Sequence, residues 1–297
     1  MSKVNPYQLI TDRIIECLDK GTTPWRKPWA TDSIGLGEHK NIASLKEYRG
    51  VNALMTFCAG QSYSSKFWGT YKQWQDLGGN VKKGEKSIPV VYFQFGEKEL
   101  EDGTKEEFGF AKHSNVFNSD QVDGIESVKK LIKPAQIEAK TDFQKIESCE
   151  SLLDSFFKTD QRLTLRHGGS RACYMPLRDT ISMPEREAFE KSTDYYATLF
   201  HELGHATGHE SRLARPELTS KIASFGSHEY SKEELVAELT SAFLCGHTQI
   251  DAVTLDQSAS YIQSWLKVLR NNPPKFIAEA SSQAQKAADL ILGRVQS

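Results

Sequence analysis

A chain of 297 residues with 26% charged and 38% hydrophobic side chains and a formal net charge of -2 is ordinary for a soluble globular protein, with room for two modest domains. It contains no run of about twenty apolar residues, which excludes a membrane-spanning helix and makes a membrane partner unexpected. Five scattered cysteines, Cys17, Cys58, Cys149, Cys173 and Cys245, form no CxxC pair and leave one over, so reduced thiols are expected rather than a disulfide framework.

The opening segment is polar and amphipathic rather than a signal sequence, and the expected location is the cytoplasm. Asn5 and Pro6 cap a helix carrying Ile10, Ile14 and Leu18 on one side; Gly21 ends it and a Pro-Trp loop follows. Helices are expected over 50–59 and 65–77, with Gly78 and Gly79 breaking the chain. A strand over 87–95 is apolar enough for a sheet centre and returns over 108–117, with an acidic, hairpin-like stretch at 97–107 between them. The polar segment 127–141, holding Pro134, reads as a linker between domains at 1–126 and 142–297. An amphipathic helix over 143–157 opens the second part. Short runs at 163–165, 171–174 and 180–183 have the spacing of antiparallel hairpin strands. Helices around 192–205 and from 230 onward follow, and two more over 258–269 and 274–292 close the chain at Gly293. The expected class is α+β with two domains.

The most informative stretch is His201-Glu202-Leu203-Gly204-His205. Residues four apart share a helix face, so His201 and His205 can offer imidazole nitrogens to one metal, while Glu202 reaches a water held there and serves as catalytic base. Tyr195, Tyr196, Leu199, Phe200 and Leu203 supply apolar residues at helical spacing, Ser192 or Thr193 can cap the start, and Gly208 can stop the end. Gly204 costs about 1 kcal/mol of helix propensity relative to Ala, so either backbone or substrate passes close to it or it is a packing glycine.

Two histidines leave a catalytic zinc one protein ligand short. On the helix that follows 230, Glu234 and Glu238 lie one turn apart on a face continued by Ala237, Ser241 and Cys245, small residues that let the face approach a metal. Glu234 as ligand with Glu238 behind it, orienting an imidazole, is one arrangement. Ser231 and Glu234 also read as a capping box, in which case Glu238 becomes the ligand; Glu229 is a third choice. His228 and Tyr230, placed in the loop before this helix, are either donors to a developing oxyanion or residues of a surface turn. His209 reads as a helix-end histidine. Zinc is the expected cofactor, and the same donors also accept manganese, iron or nickel.

The first half carries a second signal. Between residues 20 and 90 basic side chains outnumber acids and are interleaved with aromatics: Trp25, Arg26, Lys27 and Trp29; Tyr48 and Arg49; then Lys82, Lys83 and Lys86. Cations follow a phosphate backbone and aromatic faces stack on unpaired bases, so these residues are candidates for binding single-stranded DNA. Phe67, Tyr71 and Trp74 recur at helical spacing and read as core.

Several motifs together carry a family resemblance. Residues 21–29 with their two Pro-Trp steps, Tyr48-Arg49-Gly50-Val51-Asn52, Phe67-Trp68-Gly69-Thr70-Tyr71-Lys72-Gln73 and the 78–86 run resemble the N-terminal module of ArdC-type antirestriction proteins. Residues 195–209 and 230–245 resemble the zincin-like peptidase domain that accompanies it, and the 230–245 helix is similar to the third-ligand helix of gluzincin peptidases. The resemblance implies a small mixed single-stranded-DNA-binding module joined to a zincin-like metallopeptidase domain. It also implies carriage by conjugative plasmids and phages, and protection of incoming DNA from host restriction.

Three readings follow. An active zinc endopeptidase is directed by DNA binding to a protein substrate such as a restriction-system subunit; or the DNA-binding module protects the strand and the metal domain is structural or regulatory; or the chain is a general endopeptidase whose basic domain binds protein.

Overall fold

The structure, a computed structural model, describes residues 5–21, 23–25, 36–60, 62–99, 105–128, 142–219, 228–250 and 259–294. Helix α1 (Pro6–Asp19) starts where expected, with the Asn5 side chain accepting from the Tyr7 amide and Pro6 in the first turn. Strand β1 (Lys40–Asn41) and helix α2 (Val51–Gly60) follow.

The helix expected over 65–77 is instead strand β2 (Phe67–Thr70) followed by the short helix α3 (Tyr71–Asp76). Phe67, Trp68 and Gly69 are all buried, as in a central strand, and Thr70 turns the chain by capping α3 in a reciprocal box with Gln73. The helical spacing of Phe67, Tyr71 and Trp74 was therefore accidental. Phe67 and Trp74 do lie in the core, whereas Tyr71 is exposed.

Beyond β3 (Asn80–Val81), the strands β4 (Ile88–Glu99) and β5 (Lys105–Asn118) form a long antiparallel hairpin with Glu97 opposite Glu107. The main sheet has the order β1-β2-β5-β4, parallel at β1-β2 and antiparallel elsewhere, and β3 pairs with β6 (Val122–Asp123).

In the second half, α4 (Asp142–Thr159) precedes β7 (Thr164–His167), β8 (Cys173–Met175) and β9 (Thr180–Met183). These three do not form consecutive hairpins. Their order is β7-β9-β8, with β7 parallel to β9 and only β8-β9 antiparallel. Buried Ile181 and Met183 on β9 explain the central place of that strand, since it has a neighbour on each side. Helices α5 (Ser192–Ala206), α6 (His228–Thr248), α7 (Ala259–Asn271) and α8 (Phe276–Ile291) complete the described chain. Among the described residues no helix is long and apolar enough to cross a membrane.

The two halves share one hydrophobic core. Ile10, Ile14, Leu18 and Trp25 of the first half join Leu203, Leu239, Trp265 and Ile277 of the second in one cluster. The Thr11 hydroxyl donates to the Pro274 carbonyl at 2.7 Å, and the Gly50 amide donates to Gln285 Oε1 at 3.1 Å. Smaller clusters under the main sheet, around Trp74 and around Trp68, belong to the first half alone. The fold is a two-domain mixture of α and β elements, its parts joined by apolar packing.

Candidate metal centre

Helix α5 buries Tyr195, Tyr196, Leu199, Phe200 and Leu203 and turns His201 and His205 to the opposite side. Its first residue is Ser192 itself, with Lys191 at the cap position and no side-chain cap, so neither Ser192 nor Thr193 plays the expected capping role.

Helix α6 packs between α5 and α8. Its line of small residues faces α5, where the Ser241 hydroxyl donates to the Ala197 carbonyl at 2.9 Å. A Cβ on Gly204 would meet the Ala237 Cα at 2.9 Å and its carbonyl oxygen at 3.2 Å. Gly204 is thus a packing glycine: it lets two helix backbones nearly touch. That approach brings the α6 carboxylates to the histidines.

Helix α6 begins at His228, two residues before the expected start, so Ser231 lies inside the helix rather than at its cap. His228 and Tyr230 accordingly belong to its first turn rather than to a preceding loop; their side chains, and that of Glu229, lie outside the described residues.

One donor atom each from His201, His205 and Glu234 lie within 4.8 Å of one another. The two Nε2 atoms are 3.2 Å apart, and each is 3.6 Å from a Glu234 carboxylate oxygen. Donors bound at zinc-like distances around a tetrahedral cation stand about 3.3–3.6 Å apart; the two Nε2 atoms are near that spacing, and Glu234 brings one oxygen toward each of them. Glu202, buried beside His201, completes the group. Burial disfavours charge on His201, yet the hydrogen bond to Glu234 and the carboxylates of Glu238 and Glu202 outweigh it and raise the imidazole to about 9. The site thus gathers carboxylates around two imidazoles, a donor set that suits a cation.

Glu238 is buried outside the three-donor cluster and acts on His201 through its charge. The carboxylate at the Nδ1 of His205 is Glu233, a residue the sequence reading missed. Adjacent helix residues diverge by about 100°, so Glu234 faces His205 Nε2 while Glu233 Oε1 lies 3.1 Å from His205 Nδ1. Arg215 secures Glu233 with two hydrogen bonds, Nε to Oε2 at 2.8 Å and Nη2 to Oε1 at 2.5 Å. A Glu next to a candidate ligand Glu could have been suspected from this divergence; nothing in the sequence points to Arg215.

His209 bonds Ser211 at 2.8 Å beyond the helix end, away from the cluster. Cys245 is buried on the small-residue face of α6, in a packing role.

The candidate DNA residues are dispersed. Trp25 is 1% exposed and packs edge to face on Trp265, so its ring offers no surface to a base; its place beside prolines suggested a loop, but its partner comes from α7. Arg49 is ion-paired with the buried carboxylate of Asp289 on α8 and ties the two halves together. Tyr48 is half-buried, its hydroxyl accepting from Asn41 Nδ2 at 3.2 Å. Lys82, which donates to the Asp120 carbonyl at 2.8 Å, and Lys83 and Lys86 are exposed around the turn that leads into β4. Arg26, Lys27 and Trp29 lie outside the described residues.

Comparison with known proteins agrees with this architecture. Residues 4–117 match the family model of the N-terminal domain of anti-restriction factor ArdC, and residues 152–283 match that of a zincin-like metallopeptidase. The metal-free crystal structure of antirestriction protein ArdC from plasmid R388 superposes with a TM-score of 0.74 at 37% identity, covering 97% of both chains. The Mn(II)-bound structure of that protein superposes with a TM-score of 0.72 at 36% identity, covering 98% of both. The chain is also 36% identical over 293 residues to the uncharacterized protein y4eC of Sinorhizobium fredii, covering 95% of this chain and 90% of y4eC. It is 34% identical over 304 residues to a DNA primase TraC of Escherichia coli, spanning 96% of itself but only 20% of that much longer protein. With both family domains in order and near-complete coverage of a solved relative, the chain belongs to the ArdC family of antirestriction proteins.

Proposed function

We propose that this protein is a metal-dependent endopeptidase directed by single-stranded DNA, which protects the incoming DNA of a mobile element from host restriction. The observation that carries the enzymatic part is the convergence of His201, His205 and Glu234 donor atoms within 4.8 Å, beside buried Glu202. His201, His205 and Glu234 would hold one divalent cation, zinc by its donor set, or manganese, which the R388 relative binds. When bound, the ion supplies Lewis acidity, polarising a carbonyl and acidifying water. Glu202 takes the proton from the attacking water and passes it to the leaving amine. Low exposure around the histidines keeps bulk water from competing and strengthens each charge interaction in the recess.

Glu202→Gln is expected to keep its metal and lose peptidase activity by about 10²–10⁴-fold, the usual contribution of a general base. Protection of transferred DNA in cells should fall with it. Undiminished protection by a metal-loaded Glu202→Gln protein would move the function to DNA binding. That second reading has its own support: the shared core makes the metal domain a structural partner of the first half.

For the DNA-binding part, the exposed Lys82, Lys83 and Lys86 turn is the best-placed cationic surface among the residues named above. Binding should be tighter to single than to double strands and fall steeply with salt. Replacing Lys83 and Lys86 with Ala should reduce the log-log salt slope by about 1.4, at about 0.7 per lost phosphate contact. An unchanged slope removes this turn from the interface.

A further inference from the structure

We infer that Arg215 and Glu233 form a buried positioning pair that fixes the tautomer and orientation of His205, so that metal affinity depends on an arginine that touches no metal. The inference rests on the metal site proposed above. An imidazole ligates through one nitrogen only if its proton resides on the other, and a carboxylate accepting from Nδ1–H enforces that choice. His205 Nδ1 meets Glu233 Oε1 at 3.1 Å, which leaves the Nε2 lone pair facing His201 and Glu234.

Glu233 is nearly inaccessible to water. Arg215 is equally buried, and its planar fork fits both carboxylate oxygens.

The remaining Arg215 donors bind the end of the histidine helix. Nη1 donates to Thr207 Oγ1 at 2.7 Å and Nη2 to the Gly204 carbonyl at 2.7 Å. The guanidinium is thereby referenced to the same turn that carries His205. Gly208 makes room for it, since a Cβ there would lie 2.7 Å from Nη2. One side chain thus aligns the ligand helix α5 with the carboxylate helix α6.

His201 differs: its Nδ1 is buried and has no hydrogen-bond partner among the described residues. Among the described residues, the carboxylate contact at Nδ1 is made to His205 and not to His201.

The test compares wild type with Arg215→Lys, Arg215→Ala and the double variant Arg215→Met/Glu233→Leu. The double variant replaces the whole ion pair with apolar groups and so leaves no buried charge to unfold the protein. Mn²⁺ titration by calorimetry gives affinity, thermal melting reports folding, and long-range ¹H–¹⁵N spectra of the metal-free protein report the His205 tautomer. We expect the Nδ1–H tautomer in wild type and its loss in the folded double variant, with Mn²⁺ affinity reduced about 10- to 100-fold. Arg215→Lys should fall between, because an ammonium keeps the charge without the fork. A folded double variant with wild-type affinity and an unchanged His205 tautomer overturns the inference. If wild type itself binds no Mn²⁺, the metal reading fails, and the tautomer comparison still decides the role of the pair.

Discussion

Glu234→Ala is expected to reduce divalent-metal affinity by more than about 100-fold, beyond the range seen for outer-shell changes. Its carboxylate places one oxygen 3.6 Å from each Nε2 atom, so the substitution removes one of three donors and leaves two imidazoles 3.2 Å apart without the carboxylate that faces them both. Glu238→Ala should cost much less, because that carboxylate lies outside the donor cluster and acts on His201 only by its charge. Glu229→Ala should be smaller still. The measurement is a calorimetric or competition titration on all three variants, with circular dichroism to check folding. A larger loss from Glu238→Ala than from Glu234→Ala would show that the wrong carboxylate of α6 has been assigned.

Gly204→Val should damage both stability and the site. Replacing glycine by a β-branched residue raises helix propensity slightly, by a few tenths of a kcal/mol. Against that gain stands a Cβ 2.9 Å from the Ala237 Cα and 3.2 Å from its carbonyl oxygen, contacts with backbone that cannot swing away. Overpacking of this kind costs about 1–3 kcal/mol or more, so the steric term prevails, and a net loss near 3 kcal/mol lowers the melting temperature by roughly 5 °C. If α5 and α6 instead separate to relieve the clash, Glu234 withdraws from the histidines and metal affinity falls. A Gly204→Val protein with unchanged melting temperature and metal affinity would mean that the helices do not meet as described.

The parts of this molecule that were legible in the sequence are those written in local periodicity. His201 and His205 share a helix face because of their spacing alone, and the small residues Ala237, Ser241 and Cys245 marked a face expected to approach a metal, which in the structure packs on α5. The parts that were not legible depend on partners far along the chain. Trp25 sits beside prolines, a setting that suggests a surface loop, and is buried in the shared core, edge to face on Trp265 of α7. Arg49 belongs to a cationic sequence stretch, yet Asp289 neutralises it. Strand β9 lies between β7 and β8 by a pairing order that no residue spacing encodes. Phe67 and Trp68 favour strands as much as helices, and the spacing of their neighbours tipped the reading the wrong way. Glu233 and Arg215 carry the same lesson into the site: charged residues are ordinarily exposed, and only the fold shows these two buried against each other.

Crystals grown with Mn²⁺ and measured at the manganese absorption edge address the central claim most directly. The account predicts one anomalous peak per chain, coordinated by His201 Nε2, His205 Nε2 and Glu234, with Glu233 hydrogen-bonded to His205 Nδ1. A peak held by Glu238 in place of Glu234, or no peak between α5 and α6 at saturating metal, would contradict it.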